Sequence, residues 1–494
     1  MKEVRKKSAD PAVNQMLIKA HRKNVELAWD RADAMQPQCG FGRMAICCDD
    51  CKEGPCRVNP FATEDQHTIC GRDQHDLVVN NFIQSVGDGS AALVKLALEF
   101  GADIDKNTMA QVMTAKDTMM AIDTADRLAA LGQSAATALQ AIGQAKAAVN
   151  GTAVVDVTAV NMGVLQVDRI NIVIHGHVAP QVTKKVIAAA AKTGKPVNVV
   201  AMCGNEGSGA LNLPVVTNYD SQETPLLTGA VDLLVLGSQC VMPAMVSLAK
   251  KLDIPVVYSN GVNGYNDMAE AVNLAVKAFN RRAGKHADIP ENETVMTVGH
   301  NAANSAELFE ALGQGYLQGL VKGLVYVGGC GNIGATQDKD VTAVAVDLIG
   351  QGYMVVSAGC AGISLAKAGL CNENCQMTQE GLKKVLPSGT PPVLNIGSCH
   401  DAGEFLAMAK SVAASGMPVI AILPELAHNK TLATAVAFAA SGIKTFVGIE
   451  SVWSDSQMAT LLGETLLAKS GGQLLPLSDF KQIPQTFAEV AATK

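Results

Sequence analysis

From residue 151 onward, short β-branched runs alternate with longer stretches of helical character, and this alternation constrains the fold more than any other feature. Strand, helix and strand in succession build a parallel sheet with crossover helices. The first series of runs covers residues 170–174, 197–201, 233–236 and 255–258. The second covers 324–327, 354–356, 392–396, 419–423 and 445–448. A polar break, RRAGKHADIPENE, separates them around residues 281–295. The expected fold class is therefore α/β, with Rossmann-like parallel-sheet domains over 151–315 and 316–494. Residues 75–150 have almost no β-branched runs and are rich in Ala and Met, so an all-helical domain over 1–150 should precede them. In it, residues 1–38 read as one amphipathic helix on Val13, Met16, Leu17, Ala20, Val25 and Leu27. Gly101 and Gly132 should divide the remainder into about three helices. Met109, Met113, Met119 and Met120 should pack between them.

Each sheet carries a chemical mark. Cys203, Cys240, Cys330, Cys360 and Cys399 all fall at or just past the carboxyl end of an expected strand. His175 and His177, in IVIHGH, hold the same place on an earlier strand. Ligands of open α/β sheets bind in the crevice outside the strand carboxyl ends. A single cysteine there is usually a small buried hydrophobe; five at one structural position argue for thiolates converging on one interdomain metal site. Residues 329–334, GCGNIG, match the dinucleotide fingerprint G-x-G-x-x-G. The acidic residue that should end the next strand is missing; VVSAGC stands there instead. The glycines read better as close passage of backbone past a bulky cluster.

The segment 39–70 carries six more cysteines, Cys39, Cys47, Cys48, Cys51, Cys56 and Cys70. Thiolates at short loop spacings suit iron–sulfur clusters or zinc. The simplest division gives Cys48, Cys51, Cys56 and Cys70 one complete site. Cys39 and Cys47 are then half a site that needs a second copy of the chain. Two disulfides plus free thiols, or a structural zinc, are the plainer alternatives. The chain has 494 residues, 48% of them apolar and 17% charged, enough for a large core. Its formal net charge of −7 argues against nucleic acid or an anionic membrane as the main partner. The start, MKEVRKKSADPAV, leads into no hydrophobic stretch, so a signal peptide is not expected and the location should be cytoplasmic. Thirteen cysteines in such a chain favour metal over disulfides.

The 39–70 segment resembles the amino terminus of the nickel-containing anaerobic carbon monoxide dehydrogenases. That family carries C-x7-C-C-x2-C-x4-C with Gly-Pro before the last cysteine, here Gly54-Pro55-Cys56, followed by a C-G-x-D-like step at Cys70–Asp73. IVIHGH, TGAVDLLVLGSQCVMP, VGGCGNIGATQD, VVSAGCAGISLAKAGL and VLNIGSCHDA resemble the family's active-cluster segments. The resemblance implies a four-iron (4Fe-4S) cluster on Cys48, Cys51, Cys56 and Cys70 in each subunit. It implies another shared across a homodimer axis by Cys39 and Cys47, and a nickel–iron–sulfur cluster held by His177, Cys203, Cys240, Cys330, Cys360 and Cys399. His177 is preferred to His175 because related hybrid cluster proteins keep a Gly-His there. Pro424-Glu425 followed by Lys430 matches P-E-x4-K, whose lysine would stabilise the carboxylate of bound carbon dioxide. The implied reaction is CO + H2O ⇌ CO2 + 2H⁺ + 2e⁻, with electrons passed to a ferredoxin-like carrier.

The chain departs from the family at several points. Its helical region is shorter. VGDGSAALVKLAL lacks the family's histidine ladder, leaving His400 and His300 as candidates for acid–base work. Met202-Cys203-Gly204-Asn205-Glu206 is one residue shorter than C-C-T-G-N-E, so Glu206 is a candidate to replace or join Cys203 as a ligand. Thr434 stands where the family has an apolar residue one turn after the lysine. These departures keep two rivals in view. One is an iron–sulfur–oxo hybrid-cluster enzyme reducing hydroxylamine or a similar small molecule. The other is a non-enzymatic electron-transfer or redox-sensing dimer. Cys371 and Cys375 match no family ligand and are expected to be structural or free.

Overall fold

The computed structural model describes residues 6–114, 124–207, 211–259, 267–449 and 455–477. Met119, Met120 and the end of the last expected domain lie outside the described residues. The architecture is α/β, a helical amino-terminal region followed by parallel sheets. The first elements are α1 (Pro11–Arg22), α2 (Ala28–Ala34), α3 (Gly40–Arg43), β1 (Cys47–Cys48), β2 (Cys56–Arg57), α4 (Gln74–Glu99), α5 (Lys106–Thr114) and α6 (Thr124–Asn150).

The Asp10 side chain caps α1 by accepting from the Ala12 N–H, and Pro11 occupies the first turn. Asn24, at φ +52°, ends it in a Schellman turn: the Val25 N–H reaches the Ala20 carbonyl and the Asn24 N–H that of His21. The single helix expected over 1–38 is thus two helices joined by a tight turn. Gly132 does not break α6. It lies inside that helix, where an added Cβ would come within 2.7 Å of Ala440 Cβ, so the glycine permits close packing. The inward face of α5 is set by Thr108 and Val112, four residues apart, with Ile104 buried just before the helix, which leaves Met113 exposed rather than packed.

The chain continues through β3 (Asp156–Val160), β4 (Ile170–His175), α7 (Pro180–Ala191), β5 (Val197–Ala201), β6 (Val231–Leu236), α8 (Pro243–Lys251), β7 (Val256–Tyr258) and α9 (Met268–Arg282). After a loop come β8 (Thr294–Val298), α10 (Ala306–Leu317), β9 (Gly323–Gly329), α11 (Lys339–Gln351), β10 (Tyr353–Ser357), α12 (Gly359–Lys367), α13 (Glu380–Val385), β11 (Val393–Asn395) and α14 (Gly403–Val412). The remainder is β12 (Val419–Glu425), α15 (Asn429–Ala440), β13 (Lys444–Val447), α16 (Ser456–Thr460), α17 (Leu466–Ser470) and β14 (Leu474–Pro476).

Two compact units emerge. The first takes Met1–Asp33, Glu99–Gly101 and Ile142–Met417; the second takes Ala34–Leu98, Ala102–Ala141 and Pro418–Lys494. In the first, β5-β4-β6-β7 form a parallel sheet, and every residue of β4 and β6 is buried, as strands covered on both faces require. Also in the first unit, β9, β10, β11 and β8 pair in parallel, and β3 closes that series antiparallel to β8. Neither β3 nor β8 was expected. Both are short, half-exposed strands, with Val157 and Val295 facing solvent. In the second unit β12, β13 and β14 pair in parallel, and β1 pairs antiparallel with β2.

Candidate metal centre

The expected strand ends are where the sequence puts them, and the fold turns them towards one place in the first unit. Cys203 follows β5, Cys240 follows β6, Cys330 follows β9, Cys360 sits in the first turn of α12 just after β10, and Cys399 opens a short 3-10 turn after β11. Backbone hydrogen bonds lash these loops together. Gly176 N–H donates to the Cys203 carbonyl at 3.0 Å and Gln239 N–H to the Gly176 carbonyl at 3.2 Å. Gly359 N–H donates to the Gly397 carbonyl at 2.7 Å, which ties the Cys360 loop to the Cys399 loop.

The side chains follow. Cys203 Sγ lies 3.3 Å from Cys360 Sγ and is also hydrogen bonded to the Cys240 thiol. Cys399 Sγ lies 3.9 Å from His177 Nε2. Cys330 shares an electrostatic neighbourhood with these groups: it acts on Tyr219 together with Cys203 and Cys240, and on Tyr326 together with Cys399. His177, at φ +65°, and Cys240, at φ +60°, adopt the left-handed conformation that non-glycine residues seldom take, a strain that clusters at functional sites. Gly204 passes so close to the His177 ring that a Cβ would stand 2.8 Å from it.

The two histidines of IVIHGH differ. Both ring nitrogens of His175 face oxygens, Nε2 at 2.9 Å from Gln222 Oε1 and Nδ1 at 3.3 Å from the Cys203 carbonyl. His177 presents Nε2 to a thiol and Nδ1, at 2.9 Å, to His400 Nδ1. Gln222 also accepts from the Met242 N–H at 2.8 Å, so one amide holds His175 and the chain just past Cys240.

Behind His400 is a buried charge pair that sequence reasoning missed. Lys146 Nζ, near the end of α6, donates to Asp401 at 2.7 and 2.6 Å and to the Gly207 carbonyl at 2.8 Å, and stands 3.3 Å from His400 Nε2. Lys146, Asp401, Glu404 and His300 line one small cavity beside it. His300 itself stands off, its Nδ1 3.1 Å from Ser305 Oγ, and burial holds it down to about 4. Glu206 is buried, pushed up to about 7, and both its oxygens accept the Gly204 N–H at 2.9 Å. The Cys203 thiol is raised far above its ordinary range by sharing with Cys240 and Cys360, and by burial. The Cys203 hydrogen bond lowers Cys360, but burial and the Glu206 carboxylate raise it more. Four sulfurs and an imidazole gathered on these loops fit a soft or borderline metal cluster. Without metal, such thiols are protonated rather than buried as anions.

In the second unit Cys48 and Cys56 are direct partners across β1 and β2. The Cys70 thiol, 3.3 Å from Thr68 Oγ1, and that of Cys48 both act on the Arg72 guanidinium. Cys51 is exposed on the bend between the two strands. This donor set fits a thiolate-bound cluster. Cys39 is exposed and Cys47 half-buried; the Gly42 and Phe41 N–H groups hold the Cys39 thiol below its ordinary range. Lys430 is buried in the first turn of α15, also in the second unit, and its carbonyl accepts from Thr434 Oγ1 at 3.0 Å. Cys371 and Cys375 are buried; burial first, then Cys375, push the Cys371 thiol up.

Strand ends gathering thiols, together with a separate cysteine-rich hairpin, define an α/β protein built to carry metal on sulfur. The model of the Prismane/CO dehydrogenase family matches residues 102–481, and the chain belongs to that family. It is 27% identical to carbon monoxide dehydrogenase 1 of Carboxydothermus hydrogenoformans, over 99% of this chain and 97% of that protein. It is 26% identical to the carbon monoxide dehydrogenase of Rhodospirillum rubrum, over 96% of each. In fold it is similar to carbon monoxide dehydrogenase IV from Carboxydothermus hydrogenoformans, with a TM-score of 0.89 at 24% identity, covering 99% of this chain and 98% of that one. A nickel-free carbon monoxide dehydrogenase from Thermococcus sp. AM4 gives 0.88 at 23% identity, covering 98% and 96%. Among the described residues no helix is long and apolar enough to cross a membrane.

Proposed function

We propose that the chain is a carbon monoxide dehydrogenase, an oxidoreductase converting CO and water to CO2, two protons and two electrons. The observation that carries this reading is the approach of Cys203, Cys240 and Cys360 to one another, with Cys399 against His177. His177 and the five cysteines would hold a nickel–iron–sulfur cluster, which supplies when bound a Lewis acid for CO and water and a sink for electrons. Around it, His400 orients the His177 ring through Nδ1, and Lys146 and Asp401 fix His400 from behind. His400 is the group proposed for acid–base work in a chain without the family's histidine ladder, and the Lys146 ammonium stands 3.3 Å from its Nε2. Buried Lys430 is assigned to the carboxylate of carbon dioxide. Cys48, Cys51, Cys56 and Cys70 would hold a four-iron relay, and Cys39 with Cys47 would share a second cluster with the same residues of a homodimer partner. The acceptor is a ferredoxin-like carrier, in the cytoplasm.

The test is CO-dependent viologen reduction by anaerobically loaded protein, with iron and nickel counted in the same sample. Turnover that requires nickel and fails in Cys360→Ser supports the reading. Full iron and nickel without CO oxidation overturns it. Glu206 favours a second reading, since its buried carboxyl lies close enough to Cys360 to raise that thiol. An iron–sulfur–oxo cluster using it would reduce hydroxylamine without nickel.

A further inference from the structure

One charged pair in the second unit sits among thiols, and the catalytic reading gives it no role. Arg72, two residues past Cys70, turns its guanidinium back towards β1. Its Nη1 lies 2.7 Å from Asp50 Oδ2 and 3.8 Å from Cys48 Sγ. Both side chains are largely shielded, Arg72 at 17% exposure and Asp50 at 9%. The carboxylate is clamped. Asn80 Nδ2 donates to Oδ2 at 3.0 Å and Gln84 Nε2 to Oδ1 at 3.0 Å, one turn apart on α4. The arginine is fixed at its other end too, its backbone N–H donating to Thr68 Oγ1 at 2.9 Å, the hydroxyl that touches Cys70 Sγ. Arg72 therefore reaches two of the four thiols, Cys48 directly and Cys70 through the Thr68 hydroxyl.

A surface ion pair would explain little. This one is rigid, half-desolvated and aimed at sulfur, where charge acts strongly. The reduction potential of an iron–sulfur cluster is set by local charge, hydrogen bonds to sulfur and solvent exposure. Adding one electron makes the cluster more negative. A fixed cation beside a ligating thiolate stabilises that reduced state, and Asp50 offsets part of the effect. We infer that Arg72, held and partly neutralised by Asp50, sets the reduction potential of the cluster on Cys48, Cys51, Cys56 and Cys70. Arg72 is a positioning and tuning residue rather than a ligand. The inference rests on the reading that these four cysteines hold a four-iron cluster.

The experiment is an anaerobic potentiometric titration of the full-length, cluster-loaded protein with dithionite as electron donor, followed by EPR of the reduced cluster, with iron counted in each sample. Arg72→Gln should lower the ratio of reduced to oxidised cluster at a fixed potential about tenfold, a shift of about 59 mV for a one-electron couple. Asp50→Asn should move the ratio the opposite way, because it frees the guanidinium from its counter-charge. Arg72→Lys should fall between Arg72→Gln and the parent. A pair that only staples the loop would shift both neutralising variants in the same direction, or neither, and either result overturns the inference. If Arg72→Gln loses iron, Asp50→Asn decides alone: a raised ratio supports tuning, an unchanged or lowered one overturns it. Absence of four irons on these cysteines in the parent is a separate result, which removes the cluster reading and the inference with it.

Discussion

Asp220 should make the metal-free protein lose stability as pH rises, and Asp220→Asn should remove its share of that loss. The residue is 3% exposed, and burial pushes its carboxyl from 3.8 up to about 7. Asp338 adds to the rise, while Lys367 and the Asn332 backbone N–H oppose it. The folded protein therefore keeps a proton that the unfolded chain has released between pH 3.8 and about 7. More protons are bound in the folded state, so stability falls with rising pH across that window. Three pH units at about 1.4 kcal/mol each set an upper bound of about 4 kcal/mol. Asparagine has nearly the same shape and no titrating proton, so the variant fills the same space and loses the titration. At about 2 °C per kcal/mol, the low end of the range for large domains, it should melt up to about 8 °C above the parent at pH 8. The gap should close towards pH 4. Calorimetry or scanning fluorimetry of metal-stripped protein from pH 4.5 to 8 reads both curves. Parallel curves, or a gap below about 2 °C at pH 8, would refute the argument.

Lys146→Met should cost about 3 kcal/mol, because it strands the Asp401 carboxylate and the Gly207 carbonyl in a buried site; adding Asp401→Asn should restore more than half, as read by urea unfolding of the metal-free form. Cys51→Ala should abolish the low-potential EPR signal of the four-iron cluster and carrier-linked turnover; unchanged turnover would break the relay assignment. Loaded protein should run as a homodimer in analytical ultracentrifugation, and Cys39→Ala with Cys47→Ala should remove one cluster per pair of subunits.

Strand ends were legible because a parallel strand needs a continuous apolar run, and such a run marks where it stops. Cys203, Cys240, Cys330, Cys360 and Cys399 could be placed from that alone. The edge of the β9-β10-β11-β8-β3 series was not legible. Each strand is only five residues long, and neither Asp156–Val160 nor Thr294–Val298 alternates strictly between buried and exposed positions, so no period of two stands out. The first helix was over-extended because its stop signal is an asparagine in a Schellman turn, where a glycine would have announced the end.

Groups around the ligands are harder to read than the ligands themselves. Nothing near Lys146 in the sequence distinguishes it from other lysines late in an alanine-rich helix; its partner Asp401 is 255 positions away and contact is made only by the tertiary fold. The shortened M-C-G-N-E loop shows a different case, in which the path of the backbone offsets a change of length. Although the loop is one residue shorter, the Cys203 sulfur stands 3.3 Å from that of Cys360. Gly204, at φ +86°, turns the loop sharply after the cysteine and lies flat against the His177 ring, a path closed to any residue with a Cβ. Glu206 then folds back onto the Gly204 N–H and closes the turn from the other side. With both oxygens on the Gly204 N–H, Glu206 holds in shape the turn that carries Cys203.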